Sequence, residues 1–504
     1  MTLTMTQATA PIEKGSLHGA DVPSSLRSGY TLSSMNRAAA RRSLLFVVVP
    51  VLLMLQIAAF YGQYFDDAFI TYRYGANLAS GRGLVFNPGE KIMGSTSPGE
   101  SLLAALAYRI VGHSSLPEAM VVVGCIGWTA QSLGLFLLLE DALGSLGAGF
   151  VAASIAVGAA LSCMWVSLET NTAVAFAIFA ILMAARSRWK TSAVLVAAAG
   201  FMRPDAFILA PLLAWPCVRE LRRGAWKPAV VLAACALPWF VFAYWYFGSP
   251  LPQSAFAKFH TASLPAYTFH VLSLPVGFPI PFGDPYLRAH GALVHHSVFM
   301  IVIAWLLAIG GGIVLVARQH HLWPVPAYGA SHLLAYLYLR PFVAHTWHLY
   351  PGVLVFTVLC LVPLAALWRW TETRRAWRPV VLTIMAAAAC GYTWRTYQTS
   401  NAYSAQRTFG ARHRTYLAVS RYLKVHAKPG DTVAAVEVGT IGYYSGLRMF
   451  DLGGLTSRKP VGREGHFDWM VVDPLYLSIA PPDVELKEVY WSDGFRAYIF
   501  HTRG

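Results

Sequence analysis

Asp66 and Asp67 are adjacent carboxylates that follow an apolar run, residues 43–60, close to the ~20 residues that cross a bilayer core. Within Tyr64-Phe65-Asp66-Asp67-Ala68-Phe69-Ile70-Thr71-Tyr72-Arg73-Tyr74, helical spacing puts Asp66, Ile70, Arg73 and Asn77 on one face, with Asp67, Thr71 and Tyr74 on the next stripe. This predicts an amphipathic helix in the membrane interface, its acids at the positive end of the dipole. More ionisable groups stand at the ends of later apolar runs on the same predicted side: Glu169, Arg203 with Asp205, Lys258, Arg340, His345 and His348. Early acids and later cations suit transfer of a group from a phosphate-linked lipid donor. A carboxylate takes the proton of the attacking hydroxyl. Cations steady the charge that gathers on the departing phosphate, arginine as a fork and lysine as a point. Repulsion between neighbouring carboxylates favours proton uptake, which suits a base. Asp66 is therefore the expected base, with Asp67 sharing that role or orienting the acceptor. Arg73, Arg203, Lys258 and Arg340 are the expected phosphate contacts, and Glu169, Asp205, His345 and His348 the expected substrate contacts.

Each of these residues also has a plain structural use. Acids cap helices, and Glu169 suits the first turn of its own span. Single arginines at a membrane face anchor to headgroups. His345 and His348 stand at i and i+3, so a divalent metal is compatible with them and the acids, but no residue pattern requires a cofactor.

The elements that position these groups follow from composition. The chain has 504 residues, 56% hydrophobic and 12% charged, where soluble proteins hold about a quarter charged. This is a polytopic membrane protein in contact with the lipid bilayer. The net charge of +15 sits in short loops between apolar runs, as the positive-inside bias requires, and does not indicate nucleic acid. The six cysteines lie in or beside apolar runs without metal-ligand spacing. Neither a P-loop nor a dinucleotide-binding glycine pattern is present.

The expected fold is mainly α: a transmembrane helical bundle of about eleven crossings. These fall at 43–60, 116–139, 145–162, 166–185, 191–202, 206–218, 229–247, 292–317, 322–339, 351–368 and 380–394, and a short interfacial helix falls at 99–111. Residues 1–42 read as a disordered cytoplasmic tail. The transmembrane domain spans 43–394, with outer loops at 61–115 and 248–291. Residues 395–504 form a small extracytoplasmic α/β domain, with a helix at 408–425 and strands near 432–436, 469–472 and 497–501.

Asp66-Asp67-Ala68-Phe69-Ile70-Thr71-Tyr72-Arg73-Tyr74, then Gly81-Arg82-Gly83 through Asn87-Pro88-Gly89-Glu90, then Ser95-Thr96-Ser97-Pro98, resembles the first outer loop of GT-C glycosyltransferases. It is most similar to the actinobacterial arabinofuranosyltransferase group (AftB-like). Ser167-Leu168-Glu169-Thr170, Arg203-Pro204-Asp205, the run from Pro250 to Lys258, and the runs Val438 to Gly446 and Asp451 to Thr456 resemble further family stretches in the same order. The resemblance covers 43–475. It implies an inverting transfer of a sugar, arabinofuranose first, from a polyprenyl-phosphate donor to a cell-envelope glycan or glycolipid. A first-loop Asp would be the base. The site would lie on the outer face of a bacterial cytoplasmic membrane, with the N-terminus cytoplasmic and the C-terminal domain outside.

A flippase or transporter of a lipid-linked saccharide is the competing reading. The short segments around Arg203 favour it, while the absence of an internal repeat and the gathering of polar groups at one face oppose it. A non-catalytic envelope-assembly protein is the third, and it requires that Asp66 be dispensable.

Overall fold

The computed structural model describes residues 64–144, 166–257, 298–340, 346–381, 408–456, 467–479, 484–492 and 495–502, with a few single positions elsewhere after residue 50. The expected tail, the crossing at 145–162, most of those at 43–60 and 380–394, and both Lys258 and His345 lie outside these residues.

Helix α1 (Asp66–Ala79) is buried nearly all round; only Asp67 and Leu78 are half-buried. It does not lie in an interface with one face free, as its periodicity predicts. The reason is a neighbour on each side. Helix α2 (Pro98–Leu143) packs so closely that a Cβ on Gly75 would stand 2.6 Å from the Ala104 Cβ, and the C-terminal part of the chain covers the rest. Helix α2 starts at a proline, which needs no N–H there. It breaks at Gly112 (φ 78°, ψ 179°), a conformation open to glycine alone, so the expected 99–111 helix and 116–139 crossing are its two parts.

Helices α3 (Thr170–Ala185) and α4 (Trp189–Met202) follow. Helix α4 stops because Arg203 precedes a proline and is extended (φ −147°, ψ 119°). A 3-10 turn, Pro204–Ile208, leads into α5 (Leu209–Leu221). Then come α6 (Trp226–Phe247), the short α7 (Gln253–Ala257), α8 (Val298–Arg318), α9 (Pro324–Leu339) and α10 (Thr346–Thr373). Among the described residues four helices are long and apolar enough to cross a membrane: α2, α6, and the parts Ile301–Arg318 of α8 and Trp347–Thr371 of α10. Helices α3 and α4 are apolar but shorter, with 16 and 14 residues. On α6, Val241, Tyr244 and Trp245 are exposed, an apolar surface suited to lipid.

The C-terminal region contains α11 (Thr408–His426), β1 (Thr432–Ala435), α12 (Gly439–Ser445), β2 (Arg448–Asp451), β3 (Trp469–Val472), β4 (Val484–Ser492) and β5 (Phe495–Thr502). They form one sheet in the order β2-β1-β3-β5-β4. β1 is parallel to β2 and β3, while β5 is antiparallel to β3 and β4. Strands β1, β3 and β5 match the three sequence-based strands; β2 and β4 extend the sheet at its edges. The region does not stand apart from the rest. Ile70, Tyr74, Phe86 and Met93 of the first loop share one buried apolar cluster with Val419, Ile441 and Met449, and Phe247 of α6 closes it. Burying such side chains contributes roughly 1.5–3 kcal/mol each before chain entropy is counted.

Candidate functional site

A cavity of about 360 Å³ opens between α1, the loop after it, the Arg203 turn and the facing ends of α9 and α10. Five of the ten residues expected from the sequence line it: Asp67, Glu169, Arg203, Asp205 and His348. Asp66, Arg73 and Arg340 are not among its lining residues.

Helical geometry separates the two acids. Phe65 ends in an extended conformation and α1 starts at once, so Asp66 and Asp67 point about 100° apart. Asp66, expected as the base, turns instead towards the C-terminal region. One carboxylate oxygen accepts the backbone N–H of Gly439 at 2.9 Å and the other that of Thr440 at 2.8 Å. Burial pushes this carboxyl above the usual carboxylate range, and the two amides offset part of that rise. Asp67 faces the cavity, and among the described residues nothing hydrogen-bonds its carboxylate.

Arg73, expected at the phosphate, is 4% exposed and serves the fold. Its Nε donates to the Phe86 carbonyl at 2.8 Å, and Nη2 donates to the Leu447 carbonyl at 2.7 Å and to Asn87 Oδ1 at 3.3 Å. The guanidinium also lies over the Phe86 ring, 4.5 Å from its centre. Asn87 continues the same seam by exchanging two hydrogen bonds with the backbone of Met449.

Arg203 and Asp205 form the opposite wall. The Arg203 Nε and Nη2 donate to the two oxygens of Asp205 at 3.1 and 2.6 Å. Nη2 also donates to the Tyr336 hydroxyl at 3.1 Å, and Nη1 to Thr170 Oγ1 at 3.2 Å and Glu169 Oε1 at 3.4 Å. An arginine has five N–H donors, and these contacts occupy them all. Arg203, expected as a phosphate ligand, must release one of these partners before it can donate to a phosphate. Its longest contact, to Glu169, is the cheapest to release. Asp205 also accepts the Tyr336 hydroxyl at 2.8 Å and faces His332 Nε2 at 3.3 Å. Burial opposes ionisation of Asp205, but Arg203 and His332 outweigh it and hold the carboxyl well below its ordinary range. A carboxylate held that way is a poor proton acceptor.

His348 stacks on Tyr336 at 5.8 Å, beside Trp347. Arg340 caps α9 in a left-handed conformation (φ 44°), four residues past Tyr336. His332 and Tyr336 escaped the sequence reading, although two polar residues four apart on an otherwise apolar helix mark one face. Leu455 of the C-terminal region also lines the cavity; it falls in the family-like run Asp451 to Thr456, which does not by itself mark it as a site residue.

Among the described residues Asp66, Asp67 and Glu437 can bring one oxygen each within 4.8 Å of one another. The ligand type suits a hard divalent cation. Two of the three are already engaged, however: Asp66 by the two amides and Glu437 by Arg412 at 3.2 Å.

Residues 401–493 match a family described as a domain of unknown function, DUF8728. No curated protein matches the chain. Two of the solved structures that share its fold are of ArnT. One is ArnT from Cupriavidus metallidurans bound to undecaprenyl phosphate, with 13% identity and TM-score 0.53. The other is the same enzyme in the apo state, with 14% identity and TM-score 0.56. Each comparison covers 92% of this chain and 98% of ArnT. The chain thus shares the fold of ArnT over nearly its whole length.

Proposed function

We propose that the protein is a GT-C-type glycosyltransferase that moves a sugar from a polyprenyl-phosphate donor to a cell-envelope glycan or glycolipid, with inversion, on the outer face of the cytoplasmic membrane. The observation that carries this reading is the Asp67 carboxylate, without a hydrogen-bond partner among the described residues, in a cavity that the Arg203–Asp205 pair also lines. The structural neighbour's bound undecaprenyl phosphate supports the donor class. The first-loop residues support arabinofuranose as the sugar, since they are the part most similar to the arabinofuranosyltransferase group.

In the reaction, Asp67 takes the proton of an acceptor hydroxyl as its oxygen bonds to the anomeric carbon. The bond from that carbon to the phosphate oxygen breaks on the opposite side, so the configuration inverts. The leaving polyprenyl phosphate carries away the electron pair. Arg203 stabilises it by exchanging the Glu169 contact for a phosphate oxygen, and His348 supplies a further donor. Thr71 Oγ1, 3.2 Å from Ser95 Oγ, offers hydroxyls beside the base for the sugar.

The test is sugar transfer by the full chain, purified and reconstituted, from a polyprenyl-phosphoryl arabinofuranose and then a hexosyl equivalent. Transfer that falls at least about 100-fold in Asp67→Asn, with donor binding retained, is the expected result. Donor binding without transfer in the wild type would sink the enzyme reading and favour a flippase.

A further inference from the structure

The C-terminal region reaches the cavity through one turn, Asp451 to Thr456. Asp451 is fully buried, and its carboxylate accepts four hydrogen bonds from that turn: Gly453 N–H at 2.8 Å, Leu455 N–H at 2.8 Å, Thr456 N–H at 2.7 Å and Thr456 Oγ1 at 3.1 Å. These bonds fix the backbone of Leu455 with little freedom. The turn then lies directly on the first outer loop. A Cβ at Gly94 would stand 2.9 Å from the Leu455 carbonyl oxygen and 3.0 Å from Thr456 Cα. Gly94 in turn donates its N–H to the Tyr74 hydroxyl at 2.8 Å, which ties the loop back to α1. Leu455, half-buried and packed at the edge of the shared apolar core, thereby joins the cavity lining together with Asp67, Thr71 and Ser95.

We infer that this turn is the sugar-side wall of the donor cavity and that Leu455 sets which glycosyl group fits beside Asp67. The inference rests on the transferase reading above and names a residue in the C-terminal region as part of that site. An aliphatic residue in the same cavity lining as the Thr71 and Ser95 hydroxyls suits an uncharged sugar, with C–H groups against Leu455 and hydroxyls towards Thr71 and Ser95. A charged substituent at Leu455 would be desolvated without a partner, so charged sugars are disfavoured there. The wall is built rigidly, because the same region is held by Asp66, Arg73 and Asn87.

Binding separates this wall from the rest of the donor site. The full reconstituted chain is titrated with a polyprenyl monophosphate and with the same lipid carrying an arabinofuranosyl group. Leu455→Ala and Leu455→Asn are expected to weaken the glycosylated lipid about 10-fold while the bare lipid phosphate stays within about 2-fold, and Leu455→Met to restore most of the difference. Equal shifts for the two lipids, or no shift for either, with the wild type binding both, would overturn the role of Leu455. Failure of the wild type to bind either lipid is a different result: it would overturn the transferase reading and this inference with it.

Discussion

The Asp66 carboxylate accepts the backbone N–H of Gly439 at 2.9 Å, across 373 residues of sequence. With the Thr440 contact it gives the β1–α12 turn the anion that such a turn favours, here supplied by the chain itself. The neighbouring Asp67 is left to the cavity. Two adjacent identical residues thus have different surroundings, one bonded to the C-terminal region and one lining the cavity.

The two asparagine variants should therefore differ in kind. Asp67→Asn should lose transfer by two to four decades, about the range for removal of a general base, with an unchanged melting temperature. Asp66→Asn keeps one acceptor oxygen but turns an N–H towards a backbone donor, which costs roughly 1–3 kcal/mol. Thermal unfolding in detergent and hydrogen exchange over 439–445 should register that loss.

Gly439 permits the contact by having no side chain. A Cβ there would collide with the Asp66 carbonyl oxygen. Gly439→Ala should cost about 1–3 kcal/mol, the usual range for overpacking, and should loosen α12 before it affects the helices. Limited proteolysis within 408–456 is the direct readout.

Breaking the Arg203 network should be more severe than losing one phosphate contact. Arg203→Met leaves Asp205 and Glu169 buried without their cation, which costs about 3–5 kcal/mol. Arg203→Lys should restore little, because one ammonium cannot reach Asp205, Glu169, Thr170 and Tyr336 together. The double variant Arg203→Met with Asp205→Leu should recover part of the loss, measured as melting temperature. Full stability of Arg203→Met would contradict the saturated geometry.

The seam should also respond to pH through Glu437. Burial raises its carboxyl from an ordinary 4.5 to about 8; Arg412 opposes the rise, while Asp66, Asp67 and Asp473 add to it. A carboxyl raised in the folded state contributes stability that is complete below its unfolded value and is lost as the pH climbs through about 8. The melting temperature should therefore fall between pH 6 and 9 in the wild type, and fall less in Glu437→Gln. Identical slopes would exclude Glu437 as the source.

Much of this protein is legible in its sequence because the bilayer constrains it strongly. A chain 56% hydrophobic whose apolar runs are separated by short Lys- and Arg-bearing loops must form apolar helices, since lipid offers no partner for free backbone groups. The break at Arg203-Pro204, the helix from Asp66, the kink at Gly112 and strands β1, β3 and β5 follow from local chemistry, which neighbouring residues decide between themselves. The sequence also picked out five of the residues that line the cavity. It did not determine their occupations. Asp66 and Asp67 are equivalent until Gly439, far along the chain, claims one of them. Arg73 and Arg203 read as free cations until Phe86, Leu447, Asp205 and Tyr336 take up their N–H groups. Leu455 falls in a family-like run, but its role is not legible there, because its place in the cavity with Asp67 arises only when the first outer loop and the C-terminal region share a core. Partners separated by hundreds of residues leave no periodic trace, so the tertiary structure alone decides which charges are spent on the fold and which face the substrate.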